Sequence, residues 1–209
     1  MSARGRLIVL EGPDASGKTT QARLLADALT QRGLRALMVR EPGGTEVGER
    51  IRAILLDPAL EGMNVRSELF LFMAARAELC RTVIAPALDD GCVVISDRFL
   101  ASSVVYQGMV GGLPPQKIID LGALAVGDVR PALTIVLDLD SWQAAARMEA
   151  AGRTPDRIEL RDPDYHQKVQ AGYREYARWA TESVRLIRAD RSEEQIAIEV
   201  FEAVLEVLE

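Results

Sequence analysis

The chain is poor in the residues that most often mark a metal centre, a disulfide scaffold or a His-based catalytic site. Of 209 residues, one is histidine and two are cysteine, and aromatic residues make up 5%. The single histidine, His166, follows Tyr165 in a polar helical pattern and reads as a solvated helix residue. Cys80 and Cys92 are too few and too widely spaced for a zinc ligand set or a disulfide framework, so the reduced cytoplasm is the expected compartment. Long apolar runs are missing as well. The first, Leu7-Ile8-Val9-Leu10, is too short for a signal peptide or a membrane span. Positive charge is also in deficit: 25 Lys and Arg face 31 Asp and Glu, for a net charge of −6. Binding to nucleic acid through a general basic surface is therefore not expected, and a phosphate ligand must meet cations concentrated locally.

What is present suits a globular core. Apolar residues make up 48% of the chain, enough for one compact domain over residues 1–209 with inserted helices. Short strand-like runs alternate with longer helical patterns. The strand runs are Leu7 to Leu10, Leu34 to Val39, Cys92 to Ser96, Leu133 to Leu137 and, more weakly, Val184 to Ile187. Helices are expected at Glu46 to Leu55, at Val65 to Leu88 with a bend or end near Pro86, at Asp164 to Glu182 and at Ser192 to Leu208. This alternation predicts an α/β fold, a five-stranded parallel sheet flanked by helices in three layers, with ligands at the strands' C-terminal ends. Polar residues do follow the strands: Glu11 and Asp14, Arg40-Glu41, Asp97-Arg98, and Asp138 with Asp140.

The first strand runs into Gly12-Pro13-Asp14-Ala15-Ser16-Gly17-Lys18-Thr19-Thr20, and Leu24, Leu25, Ala28 and Leu29 then recur at helical spacing. Strand, glycine loop and helix in that order form a phosphate-binding loop of the P-loop NTPase type. Its backbone N–H groups turn inward around phosphate oxygens, and the helix N-terminus adds a partial positive charge. Lys18 can reach the terminal phosphates of ATP, and the Thr19 hydroxyl is placed to ligate Mg2+. A guanine-reading Asn-Lys-x-Asp loop is excluded, because the only asparagine, Asn64, is followed by Val65-Arg66. A small kinase needs a second pocket, and Phe70, Phe72, Arg76, Arg98, Phe99 and Tyr106 are its candidates. Phe70 and Phe72 lie two apart on a helix, so one is expected in the core. By periodicity alone that one is Phe72, although Phe72 and Arg76, four apart, share a face that also suits an aromatic platform edged by a guanidinium.

From Leu7 to about Leu186 the chain resembles the thymidylate (dTMP) kinases, most closely the bacterial ones. The resemblance rests on Glu11-Gly12-Pro13-Asp14, Arg40-Glu41-Pro42-Gly43-Gly44-Thr45 and Phe72-Met73-Ala74-Ala75-Arg76. It continues through Asp97-Arg98-Phe99, Ser102-Ser103, Tyr106-Gln107 and Asp156-Arg157-Ile158-Glu159. It implies transfer of phosphate from ATP to dTMP with Mg2+. It also implies that Phe72 stacks on thymine, that Arg76 bonds the base's carbonyl edge, that Ser103 sits by the base edge, and that Gln107 is among the residues that bind dTMP. Arg98 and Arg40 would face the dTMP phosphate, Asp14 the 3′-OH, Asp97 the hydrated metal, and Tyr106 the sugar. Glu41 is open between a turn charge and a direct contact. A homodimer is implied too, through helical faces such as Ala74 to Leu88.

Residues 147–161 carry Arg147, Arg153, Arg157 and Arg161 with Gly152 and Pro155, a pattern that suits a mobile arginine-rich lid closing over ATP. Some members of the family carry an arginine within the phosphate loop. Ala15 stands there instead, so a lid arginine is expected to supply the transition-state cation: Arg153 first, Arg147 or Arg157 next. Two alternatives stay open: a kinase for another monophosphate, and a nucleotide-dependent regulator without catalysis. Intact Lys18, Thr19, Asp97 and Arg98 weigh against the regulator.

Overall fold

The structure is a computed structural model that describes residues 4–152 and 154–208. Strands β1 (Leu7–Glu11), β2 (Ala36–Arg40), β3 (Val93–Asp97), β4 (Pro131–Asp138) and β5 (Val184–Arg188) form one sheet in the order β2-β3-β1-β4-β5. Every pairing is parallel. Strands buried on both faces read as continuous apolar runs, and β1 shows why. Ile8 and Leu10 pack on one side, with Leu25 and Leu29 of α1 (Lys18–Gln31) and Val200 and Val204 of α9 (Glu193–Leu208). Leu7 and Val9 pack on the other, with Leu79 of α3 (Val65–Leu79) and Leu88 of α4 (Ala85–Asp89). Each such buried side chain contributes about 1.5–3 kcal/mol. The weak signal of β5 has a cause: it lies at the sheet edge, and Leu186 is 45% exposed.

The expected helix from Val65 to Leu88 runs through α3 and α4, joined by a π-helical turn at Cys80–Ile84. Residues 100–126 carry no element in the sequence pattern but are largely helical. They hold α5 (Leu100–Ser103), a π-helical stretch at Val104–Val110, and α6 (Pro115–Val126). The glycines and prolines between Gly108 and Pro115 mask the periodicity there. The lid segment is likewise more ordered than a loop. Helix α7 (Ser141–Ala151) carries Arg147 and ends at Gly152, whose φ of 61° gives the left-handed cap. Helix α8 (Pro163–Trp179) follows, and α2 (Glu46–Leu56) covers the β2 side. Among the described residues no helix is long and apolar enough to cross a membrane.

Register carries the chemistry to one edge. Leu10 pairs with Asp97 and Arg40 pairs with the same residue, so Glu11, Arg40 and Asp97 emerge side by side at the C-terminal ends of β1, β2 and β3.

Candidate active site

A cleft of about 1290 Å³ opens at that edge, and it runs from the phosphate loop to Phe72 and Tyr106. Its floor is the loop itself. A Cβ on Gly12 would stand 2.5 Å from the Leu137 carbonyl oxygen, and the residue's φ is 135°, so only glycine lets β1 turn here. Lys18 Nζ folds back on the loop and donates to the carbonyls of Gly12 (3.2 Å) and Pro13 (2.7 Å). Burial, helped by nearby Arg98, pushes the Lys18 ammonium down to about 8. A polyphosphate would hold it charged. Nucleotide binding at about pH 9 is therefore expected to take up most of a proton, and affinity should decline as pH rises past about 8. Calorimetry in buffers of different ionisation enthalpy measures the uptake; Lys18→Met should abolish it.

Beside the loop, Thr19 Oγ1 donates to Asp97 Oδ2 at 2.6 Å. A hydroxyl and a carboxylate in contact beside a phosphate cradle fit a Mg2+ that keeps several waters and phosphate oxygens as ligands. Thr20, Ala15, Ser16 and Gly17 line the same end of the cleft. Over it lies Arg147 of α7, whose Nη1 reaches the Ala15 carbonyl (3.3 Å) and whose Nη2 reaches the Ala189 carbonyl (2.8 Å).

Arg98 occupies the centre, with a backbone φ of 74° that few non-glycine residues adopt. Its Nη2 pairs with Asp14 Oδ1, and its Nη1 donates to the Gly12 carbonyl (3.0 Å), Ser102 Oγ (3.2 Å) and Tyr173 Oη (2.9 Å). Its guanidinium also lies 5.3 Å from the centroid of the Tyr106 ring. Burial works to raise the Asp14 carboxyl, but the charges of Arg98 and Lys18 outweigh it and hold the group below the ordinary range. Tyr106 Oη donates to Asp14 Oδ2 at 3.2 Å. Behind them Glu11 is fully buried and accepts from the Phe99 and Ser102 backbone N–H groups and from two hydroxyls, Ser102 Oγ and Tyr173 Oη. Burial pushes Glu11 up, and Arg98 opposes the shift.

The far wall holds Phe72, Ser103, Tyr106 and Gln107. Phe72 is half-buried; it lines the cleft and packs against the core cluster of α3, α6 and α8. Phe70 is 60% exposed. Of the two, Phe72 is the one that packs on the core, as its periodicity suggests, while it also lines the cleft. Arg76 departs from its expected place. It is 1% exposed and does not line the cleft. Its Nε and Nη2 pair with Glu41 Oε2, Nη2 also reaches the Phe99 carbonyl, and Nη1 donates to Ser103 Oγ (3.1 Å) and Met73 Sδ (3.3 Å). With all five donors engaged, the guanidinium stands one layer behind Ser103, and no direct base contact is left to it. Burial pushes Glu41 up to about 7 against the pull of Arg76, and among the described residues its Oε1 has no partner.

Other expectations divide. Arg40 lines the cleft, half exposed, with Nη2 on both oxygens of Glu49 at 2.9 Å. Arg157 is 2% exposed and points inward: Nε donates to the Leu55 carbonyl and Nη2 pairs with Glu68. As a cation for the cleft it is excluded. Arg153 lies outside the described residues. Asp138 and Asp140 turn to Arg174 of α8 rather than to the cleft. His166 is half-buried, with Nε2 3.2 Å from the Glu159 carbonyl oxygen, not solvated as expected. Two residues carry no motif and were not anticipated. Arg52 of α2 lines the cleft beside Arg40, and Glu68 of α3 lies buried behind the far wall. The i, i+4 step that pairs Phe72 with Arg76 would have found Glu68 one turn back.

Comparison with known proteins agrees with this geometry. The family model for thymidylate kinase matches residues 10–200. A thymidylate kinase of Symbiobacterium thermophilum is 47% identical over 201 residues, 96% of this chain and 93% of the relative. That of Pelotomaculum thermopropionicum is 42% identical over 206 residues, 99% of this chain and 95% of the relative. With a phosphate loop at one end of its cleft and an aromatic wall at the other, this chain belongs to the thymidylate kinase family.

Proposed function

We propose how the residues of this cleft divide the work of the family's reaction, in which ATP and dTMP give ADP and dTDP. As a member of that family the chain is a phosphotransferase that supplies dTDP for dTTP synthesis. One observation carries the division: a single continuous cleft joins the phosphate loop to the Phe72 wall, with Arg98 between them.

ATP lies along Gly12 to Thr20, with Lys18 on its terminal phosphates and Arg147 above. Thr19 and, partly through water, Asp97 would hold a Mg2+, which would supply charge neutralisation on the transferring phosphates. The two nucleotides bring roughly six negative charges and one Mg2+ removes only two, so protein cations must offset the rest. Arg98 faces the acceptor phosphate from the centre, and Arg40 with Arg52 faces it from the β2 side. Asp14, oriented by Arg98 and Tyr106, accepts from the sugar 3′-OH, and the Tyr106 ring closes the space where a ribose 2′-OH would stand. Phe72 stacks on the base. No general base is required, since the acceptor is already an anionic phosphate oxygen, and positioning and charge stabilisation do the rest.

The whole chain acts as one kinase unit, with residues 147–161 as its lid, in the cytoplasm, where Cys80 and Cys92 stay as free thiols. A homodimer through helical faces such as Ala74 to Leu88 is part of the same proposal.

Arg76→Ala tests the base end. Loss of the bond that orients Ser103 should raise the dTMP KM by more than the ATP KM, and loss of the buried pair with Glu41 should lower the melting temperature as well. Equal effects on both substrates would make Arg76 a structural brace only.

A further inference from the structure

Two neutral side chains, Ser103 and Gln107, line the part of the cleft assigned to the base, and each is gripped from behind by a buried charge. Arg76 Nη1 donates to Ser103 Oγ, so the Ser103 hydroxyl proton is left to point elsewhere, as a donor. Glu68, fully buried, accepts from Gln107 Nε2 at 2.7 Å through Oε1. Its other oxygen takes Arg157 (2.6 Å) and Arg161 (2.8 Å). As a carboxylate clamped by two guanidiniums, Glu68 offers only acceptors. It therefore fixes which way round the Gln107 amide sits: nitrogen toward Glu68, carbonyl oxygen away. Gln107 lines the cleft, and among the described residues its buried Oε1 has no partner.

We propose that Glu68 is a specificity-determining positioning residue, which sets the Gln107 amide so that the wall presents an acceptor beside the Ser103 donor. This inference rests on the dTMP reading of the cleft. A donor next to an acceptor complements the carbonyl and imide N–H of a thymine edge. Cytosine carries the opposite pattern, an amino group next to an unprotonated ring nitrogen, and meets donor against donor and lone pair against lone pair. A flipped Gln107 would remove half of that rejection, and Glu68 prevents the flip. A buried group left unpaired by the wrong substrate is a strong source of discrimination.

The decisive variant is Glu68→Gln. Its amide oxygen stays with Arg157 and Arg161, so its nitrogen faces Gln107 and turns that amide round. The ratio of kcat/KM for dTMP to that for dCMP, at fixed ATP, is expected to fall by about tenfold or more, with a rise in the dTMP KM and a gain for dCMP. Gln107→Leu should narrow the ratio similarly, and adding Glu68→Gln to it should narrow it no further. A proportional loss on both substrates, with the ratio unchanged, would overturn the inference and leave Glu68 as a brace for Arg157 and Arg161. If Glu68→Gln does not fold, Gln107→Leu still tests the acceptor that Glu68 sets, and an unchanged ratio there overturns the inference equally. Absence of dTMP turnover by the unaltered chain would sink the underlying reading instead, and the proposal with it.

Discussion

Replacing Arg98 with alanine is expected to slow phosphoryl transfer by about 10^3-fold or more, the scale of a cation that meets charge developing on a transferring phosphoryl group. The residue is held for that task from every side. Its φ of 74° aims the side chain back over the loop, and Gly12, Asp14, Ser102 and Tyr173 receive its donors. Removal also takes from Asp14 its ion-pair partner and from Glu11 the charge that opposes its burial, and leaves only Lys18 nearby. Stripping a buried carboxylate of its partner costs on the order of 3 kcal/mol, so the variant should melt several degrees lower as well. Arg98→Lys separates the two effects. A lysine restores the charge and much of the stability, but not the planar fork that spans Asp14 and the Gly12 carbonyl, so the rate should stay low. Rapid-quench single turnovers and thermal melts together check this. A native-like rate in Arg98→Lys would mean that only net charge matters there.

Much of this site was legible before any fold was known, for a physical reason. A phosphate loop is built from backbone, so its glycines, Lys18 and Thr19 must stand at fixed spacing, and the apolar run of β1 must precede them. The Asp97-Arg98 pair was legible for the same reason, since it ends a strand at the ligand edge. Residues held by distant partners were not. Nothing near Arg157 in sequence says that Glu68, 89 positions earlier, will draw it inward. Arg76 sits at the spacing that suits a base contact, yet Glu41 and Ser103 consume its donors. Helix α7 and the π-helical stretch at Val104–Val110 were hidden because one bears few large apolar residues and the other breaks the 3.6-residue period.

Arg147 carries the second large expectation. With Ala15 in the phosphate loop and Arg157 turned inward, Arg147 is the lid arginine that the described residues bring to the loop, through its contact with the Ala15 carbonyl. Arg147→Ala should slow the chemical step about 10^3-fold while dTMP binding stays almost intact, because the contact strengthens only as charge develops. Arg157→Ala should behave in the opposite way. It strips Glu68 of one buried partner, costs about 3–5 kcal/mol of stability, and leaves the rate of the folded fraction little changed. Arg153→Ala belongs in the same single-turnover series. If none of the three slows the step by tenfold, α7 and the lid are only a cover, and the cations at work are Lys18 and Arg98.

The most direct measurement is ADP formation from ATP and Mg2+ with dTMP, AMP, CMP and GMP offered separately to the purified chain. Robust turnover with dTMP and little with the other three is the predicted result. Preference for one of the others, or tight ATP binding with no turnover on any of them, would contradict it.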